Sequence, residues 1–547
     1  MRITGFRGLV AVVLLGAGLT APIALADNPV SPYDGGTAVQ QCYAKASTQI
    51  DDSGYKFCRS MQALVSSAAA ACRTPLRDTP DAAAPDYCGV FDGREVSEAQ
   101  VASYERSWVH RALTLQRVLG QSAPLWEEQF VHTHNSFNAS SYVVPTDGTA
   151  PSYYPTLTNQ DPNQLYSMTD QLRMDVRALE IDLHWVPSPY GSPATHGYWV
   201  TMCHGDGQDP TGQGVYVHVG CTDDRPAQDG FAEVGRWLAA HPHEVVLLYL
   251  ENQMYDANPV AGKWQAHDIA TRLIRQQLGR FVYQPPAGQP AGTCAPMPYD
   301  LTSDDILAAG KRLLLVGNCG PAGWNDWVYT RGPAWDESGN PTHYGGTDCA
   351  RDQKGMRTHS VFRRWYEESP WLEAMTDATQ VLTADATARM VRCGANLIGF
   401  DQLQPFDGRL QAFVWSWASG EPSASSGACA FQGSDSRFHA SGCDVQRHFA
   451  CASPDGSFHV TSASGSWPDG FAACPAEFAG SRYAVPPNGL RNTELRNASP
   501  GTVWLDYARD RSGQWQPGAS TAFVPSPPPG DPGDGHGNRG KHRHPHK

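Results

Sequence analysis

Between Leu125 and Ala418 the chain repeats one pattern, short apolar runs separated by helix-length segments. The runs are Phe130-Val131, Val176 to Leu183, Val245 to Leu250, Leu313 to Val316, Leu397 to Phe400 and Phe413 to Trp417. Strands that alternate with helices pair in parallel, because each helix returns the chain to the edge from which the next strand starts. Between Glu244 and Glu251 the run Val-Val-Leu-Leu-Tyr-Leu is apolar at every position, so both faces of that strand must be covered. A barrel covers them, with packed side chains inside and a ring of helices outside. The expected fold is therefore α/β, a TIM-type (β/α) barrel over residues 121–420. Ahead of the Val245 run, Asp229 reads as the cap of a helix that carries Phe231, Val234 and Leu238 on one face.

A chain of 547 residues exceeds one such barrel. Residues 27–120 read as an N-terminal helical cap. In it Ser97 and Gln100 have capping-box spacing, and the helical stretch from Glu98 to Leu119 carries apolar Val101, Trp108, Leu113 and Val118. Residues 1–26 read as a signal peptide: Arg2 and Arg7, an apolar run from Leu9 to Ala21, and Ala24-Leu25-Ala26 as the cleavage pattern. Export to an oxidising compartment fits the 14 cysteines. Cys42, Cys58, Cys72 and Cys88 are expected to staple the cap, Cys203 and Cys221 flank a loop, and Cys429, Cys443, Cys451 and Cys474 belong to a small disulfide-rich module over 421–524. No pair has the Cys-x-x-Cys spacing of a zinc site. The Pro, Gly and His-rich residues 525–547 read as disordered. The net charge of −14 disfavours nucleic acid and bulk capture by anionic bilayers. Any lipid is met locally, by transient contact with a membrane surface.

The chemistry gathers on the barrel. In Val176-Arg-Ala-Leu-Glu-Ile-Asp-Leu-His184 side chains alternate, so Glu180, Asp182 and His184 share a face. Two carboxylates facing one way inside an apolar barrel need a cation, a shared proton or a basic partner. Hard oxygen donors at that spacing suit calcium or magnesium, and Asn135 and Glu251 offer further oxygens. The alternative is an ion pair with Arg173 or Arg177. His134, in His132-Thr-His-Asn-Ser136, falls at the end of the first strand, where this architecture carries active sites. His204, in Met202-Cys-His-Gly205, follows the acidic strand in the same topological position. Two imidazoles beside a cation can act as general acid and base. His132, His184 and His196 read as structural. Asp401, after Leu397–Phe400, falls where a strand-end acid can orient a histidine.

Taken in order, Thr133-His-Asn-Ser136, Glu180-Ile-Asp182, His204-Gly205 and Leu250-Glu-Asn252 resemble the calcium-dependent branch of the phosphatidylinositol-specific phospholipase C catalytic domain. The match is good from Leu125 to Asn252 and looser to Ala418. The resemblance implies His134 and His204 as catalytic residues and Asn135, Glu180, Asp182 and Glu251 as Ca2+ ligands. Metal-independent bacterial members place an arginine on the acidic strand, where this chain has Asp182, so calcium dependence is expected. The implied reaction is attack of the inositol 2-hydroxyl on phosphorus, releasing diacylglycerol and a cyclic inositol phosphate. Members that favour phosphorylated inositides carry paired lysines after a mid-barrel strand. Here Lys311 to Asn318 ends in Val316 and Asn318, which points to unphosphorylated phosphatidylinositol. Arg363 and Arg364 fit either a head-group contact or a solvated helix face.

Two other readings stand beside this one. Glycerophosphodiester phosphodiesterases also use a barrel with Glu-x-Asp, but they open with His-Arg-Gly and a glutamate, which this chain lacks at His134. A catalytically inactive lipid- or glycan-binding protein is the alternative from another class. Trp415-Ser-Trp417, Glu421-Pro422 and Trp504-Leu-Asp506 faintly resemble pieces of C-type lectin-like domains, in an order that differs from the usual one.

Overall fold

A computed structural model describes residues 98–142, 163–187, 191–195, 197–202, 207–208, 217–218, 225–254, 264–336, 361–367, 382–406, 408–423, 425–499 and 501–518. The leader, Ser97, the early cysteines, Cys203, Cys221 and the tail lie outside these residues.

The helical stretch comes first, as two helices, α1 (Glu98–Tyr104) and α2 (Trp108–Gln121). The break falls at Ser107, whose extended backbone and side-chain oxygen cap α2 by accepting from the His110 N–H at 3.2 Å. The barrel then begins: β1 (Phe130–Thr133), α3 (Met168–Arg173), β2 (Ala178–Pro187), β3 (Tyr198–Met202), α4 (Ala227–Ala240), β4 (Val246–Asn252), α5 (Gln265–Gln277), α6 (Ser303–Ala308), β5 (Leu313–Gly317), β6 (Tyr329–Thr330), β7 (Trp335–Asp336), β8 (Phe362–Tyr366), α7 (Ala384–Arg392), β9 (Leu397–Phe400) and α8 (Gly408–Phe413). α4 is capped by Pro226, so Asp229 sits inside its first turn, where a carboxylate complements the helix dipole.

The fold is a TIM-type barrel. Its parallel ladder runs β7-β8-β9-β1-β2-β4-β5-β6, and β3 folds back antiparallel on the long second half of β2. Among the described residues no ladder joins β6 to β7, so the ring of hydrogen bonds is interrupted there.

Alternation along the strands separates two cores. Val131, Leu179, Ile181, Leu248, Leu250, Leu315 and Ile398 point outward to the helices. Phe130, Ala178, Leu247, Leu314, Phe362 and Leu397 point inward and fill the end where the strands begin. One pleat further on, the inward positions become His132, Glu180, Tyr249, Arg364 and Gly399. The barrel is thus floored with hydrocarbon and polar at the mouth.

The run Phe413 to Trp417 is not a barrel strand. Phe413 ends α8, and Trp417 forms an isolated bridge with Phe438, packing its ring on Phe438, Tyr507 and Trp515. These rings belong to a second sheet, formed by β10 (Cys429–Gln432), β11 (Phe438–Ser441), β12 (His448–Ala452), β13 (Phe458–Val460), β14 (Arg482–Tyr483), β15 (Val503–Arg509) and β16 (Trp515–Gln516). Helices α9 (Gly470–Glu477) and α10 (Gly489–Ala498) cover it. Disulfides Cys429–Cys443 and Cys451–Cys474 tie this module internally, and Cys294–Cys319 ties a barrel loop.

The module docks where the barrel strands start. Asn488 donates to the Glu127 carbonyl at 2.9 Å, the Gly489 N–H donates to Gln129 at 2.8 Å, and Arg491 pairs with Glu127 at 3.0 Å. α2 grips the same end. Arg117 pairs with Asp175 and Glu244, each at 2.9 Å, on the residues that lead into β2 and β4.

Candidate active site

The opposite end, where the strands finish, carries the candidate site. Asp182 and Glu251 are register partners across the β2–β4 ladder, and Glu180 lies one pleat below Asp182 on the same inner face. Their carboxylates offer oxygens within 4.8 Å of one another, with Glu180 and Asp182 buried and Glu251 half-buried. Burial, with Glu251 and Glu180 as like-charged neighbours, pushes the Asp182 carboxyl well above the usual range. Burial also raises Glu180, against the pull of the Arg364 guanidinium.

That guanidinium is the basic partner sequence reasoning left undecided. Arg364 ion-pairs with Glu180. It lies between two rings, 4.5 Å from the Tyr249 centroid and 4.1 Å from that of Tyr366. Arg173 and Arg177 face elsewhere: Arg173 pairs with Glu98, Glu105 and Asp170, and Arg177 with Glu244. Of the two readings of Arg363 and Arg364, the solvated helix face does not hold: both lie on a buried strand, β8, on whose other face Arg363 pairs with Asp336 at 2.9 Å. Arg364 also donates from Nε to His132 Nε2 at 3.3 Å, while His132 Nδ1 donates to the Ala178 carbonyl at 3.1 Å. Burial and the adjacent guanidinium hold His132 neutral, with its pKa well below the ordinary value. Both its ring nitrogens are thus engaged within the barrel wall. His184 is buried further along β2.

The Thr133-His-Asn-Ser136 turn sits beside this group because Ser136 extends the pairing of β1 with β2. Its N–H donates to the Glu180 carbonyl at 3.0 Å, and its hydroxyl accepts from the Glu180 N–H at 2.9 Å. Gln171 fastens the turn from α3, donating to the Ser136 carbonyl at 2.8 Å. Asn135 stands at φ 43°, the left-handed region that asparagine tolerates better than most residues.

His134 faces Asp401 at the end of β9, with Nδ1 3.3 Å from Oδ1, and its ring lies 4.6 Å from that of Tyr366. A carboxylate on Nδ1 keeps that nitrogen protonated and leaves Nε2 as the basic position. Asn163, fully buried, joins the parts. Its Oδ1 accepts from Asn135 at 3.3 Å and from Asn138 at 2.8 Å, and its Nδ2 donates to Asp401 at 3.3 Å. Gln164 donates to the carbonyls of His134 and Phe400, each at 2.7 Å. Nothing in the sequence marked Asn163 or Gln164, since both stand in a polar loop without a motif.

Of the residues expected to act, Glu180, Asp182 and Glu251 come together as one group, and His134 and Asn135 come together with Asp401 through Asn163. His204 and His196 lie outside the described residues. A group of three carboxylates, two buried and one half-buried, offers the hard oxygen donors that fit a divalent cation.

The description of the Rv2075c PI-PLC-like domain matches residues 92–407. Two curated relatives from Mycobacterium tuberculosis, uncharacterized protein Rv2075c of strain H37Rv and uncharacterized protein MT2135 of strain CDC 1551, are each 34% identical over 469 residues, 82% of this chain and 88% of theirs. Among solved structures, the phosphatidylinositol-specific phospholipase C of Listeria monocytogenes aligns over 55% of this chain and 98% of its own, with 11% identity and a TM-score of 0.35. PLC21 of S. officinalis aligns over 64% and 48%, with 11% identity and a TM-score of 0.29. Likeness at that level carries nothing about chemistry. The family match spans more than half of the sequence and includes every strand of the barrel: this chain belongs to the Rv2075c PI-PLC-like family, whose fold is that of a phosphodiesterase-type hydrolase.

Proposed function

We propose that the protein is a secreted, calcium-dependent phosphodiesterase that cleaves phosphatidylinositol to diacylglycerol and a cyclic inositol phosphate. The observation that carries this reading is the pairing of His134 with Asp401 beside the Glu180–Asp182–Glu251 group, at the mouth of the barrel. His134 Nε2 takes the proton of the inositol 2-hydroxyl. The freed oxygen attacks phosphorus, the bond from phosphorus to the glycerol oxygen breaks, and His204 returns a proton to that oxygen. Asp401 keeps the His134 ring in the required tautomer and stabilises the imidazolium that forms. Arg364, half-sandwiched by Tyr249 and Tyr366, adds fixed positive charge where the phosphate must lie. Glu180, Asp182, Glu251 and Asn135 would hold Ca2+, which when bound acidifies the nucleophile and neutralises phosphoryl charge.

Several features support the setting. The disulfides and the Arg2-to-Ala26 leader favour export. No helix among the described residues is long and apolar enough to cross a membrane. In this reading lipid is met by transient contact with a membrane surface. The test is turnover of phosphatidylinositol and of glycerophosphoinositol, each with calcium and with chelator, followed by 31P NMR. The expected result is calcium-dependent cyclic phosphate from the acylated substrate, lost by at least 100-fold in His134→Ala. Hydrolysis of glycerophosphoinositol without cyclic product would transfer the protein to the glycerophosphodiesterase class.

A further inference from the structure

One buried ion pair at the mouth takes no part in the chemistry above. Glu367 follows β8 and Arg409 lies in α8, both fully buried and 2.7 Å apart. Taking two charges out of water costs several kcal/mol, and an apolar pair of similar volume would hold α8 against the barrel at least as well. What the charges do that hydrocarbon cannot is visible at Asp401. The Asp401 N–H donates to Glu367 Oε2 at 2.7 Å, and Arg409 Nη2 donates to the Asp401 carbonyl at 3.0 Å. Both peptide groups of one residue are therefore gripped by the two halves of a single ion pair.

The grip falls where the sheet stops. β9 ends at Phe400, and at Gln402 the chain turns through φ 48°, a strained conformation for that residue. Glu367 is itself fixed on both sides. Its N–H donates to the Gly399 carbonyl at 3.0 Å, and its second oxygen accepts from the Leu382 N–H at 2.7 Å. The Arg409 guanidinium stands 5.1 Å from the Phe400 ring.

We propose that Glu367 and Arg409 are positioning residues for the reaction, holding the main chain of Asp401 so that its carboxylate stays on His134 Nδ1. This rests on the phosphodiesterase reading of the site. A contact of 3.3 Å between Asp401 and His134 leaves little room for drift, and a displacement of about 1 Å at such a contact is enough to cost on the order of 100-fold in rate.

The experiment is a double-mutant cycle in the full chain, assayed on phosphatidylinositol micelles with calcium: Glu367→Gln, Asp401→Asn and the two combined, with Arg409→Lys as a separate arm. Glu367→Gln is expected to lower kcat at least tenfold with KM within twofold of wild type. In the Asp401→Asn background the same change is expected to cost less than twofold, because the contact it maintains is already gone. A purely structural role predicts losses that multiply, and that result, or an unchanged kcat in Glu367→Gln, overturns the proposal. Should Glu367→Gln not fold, Arg409→Lys and its combination with Asp401→Asn complete the same cycle with the charge retained. Wild-type protein that turns over no phosphodiester removes the proposed function and this inference together; an active wild type with multiplying losses removes this inference alone.

Discussion

At the residue scale, Arg364 shows how far a sequence can be read. The acidic strand was legible because a period of two puts Glu180 and Asp182 on one face whatever surrounds them. Glu251 joined them because the β2–β4 register sets it beside Asp182. Arg364 was not legible. Phe362-Arg-Arg-Trp-Tyr366 lacks the alternation of a strand, and the carboxylate that makes a buried guanidinium tolerable lies 184 positions away. Arg364→Met is expected to lower the unfolding free energy of the metal-free protein by about 3–5 kcal/mol, since it leaves Glu180 buried without its counter-charge. Denaturant titration checks this, and a loss within about 1 kcal/mol would mean the pair is as weak as a surface one. Gly399 is as constrained. A Cβ there would stand 2.6 Å from the Tyr366 Cβ and 2.8 Å from the His132 ring. Gly399→Ala is expected to destabilise by about 1–3 kcal/mol through overpacking, read as a lower melting temperature.

At the scale of elements, the barrel strands that carry a purely apolar run or a strict alternation were found, and β6, β7 and β8, which lack both, were missed. β6 and β7 have two residues each, too few to show a period, and β8 is masked by its arginines. The Phe413–Trp417 run failed for the opposite reason: its bulk and aromaticity suit a strand, but its rings are taken by the second sheet. α2 supplies a test of its own. Although burial opposes it, Arg117 and Arg177 hold the Glu244 carboxyl well below the usual range, and Asp175 is depressed in the same network by His110 and Arg117. A depressed carboxylate stabilises the fold above its ordinary pKa of about 4 and loses that contribution as pH falls through the depressed value. Glu244→Gln is therefore expected to cost about 1–3 kcal/mol at pH 7, discounted for the partial exposure of Glu244, with the gap to wild type closing below about pH 4. Urea melts at pH 7 and pH 3 measure it, and a gap as wide at the lower pH as at pH 7 would contradict the assignment.

On the scale of the whole molecule, the carboxylate group and the fold are linked through any ion they bind, because a ligand specific to the native state stabilises it in proportion to its occupancy. Millimolar calcium is expected to raise the melting temperature of wild type, chelator to reverse the rise, and Asp182→Asn to abolish it. A wild type indifferent to calcium, magnesium and manganese would remove the metal from the proposed site without touching His134 and Asp401.

Asn488, Gly489 and Arg491 fasten the C-terminal module beneath the barrel, at the far end from His134. A protein held to a wall, a bead or a partner through that module would be anchored at the end of the barrel opposite His134, so immobilisation by the carboxy-terminal half places no tether on the strand ends that carry the carboxylates.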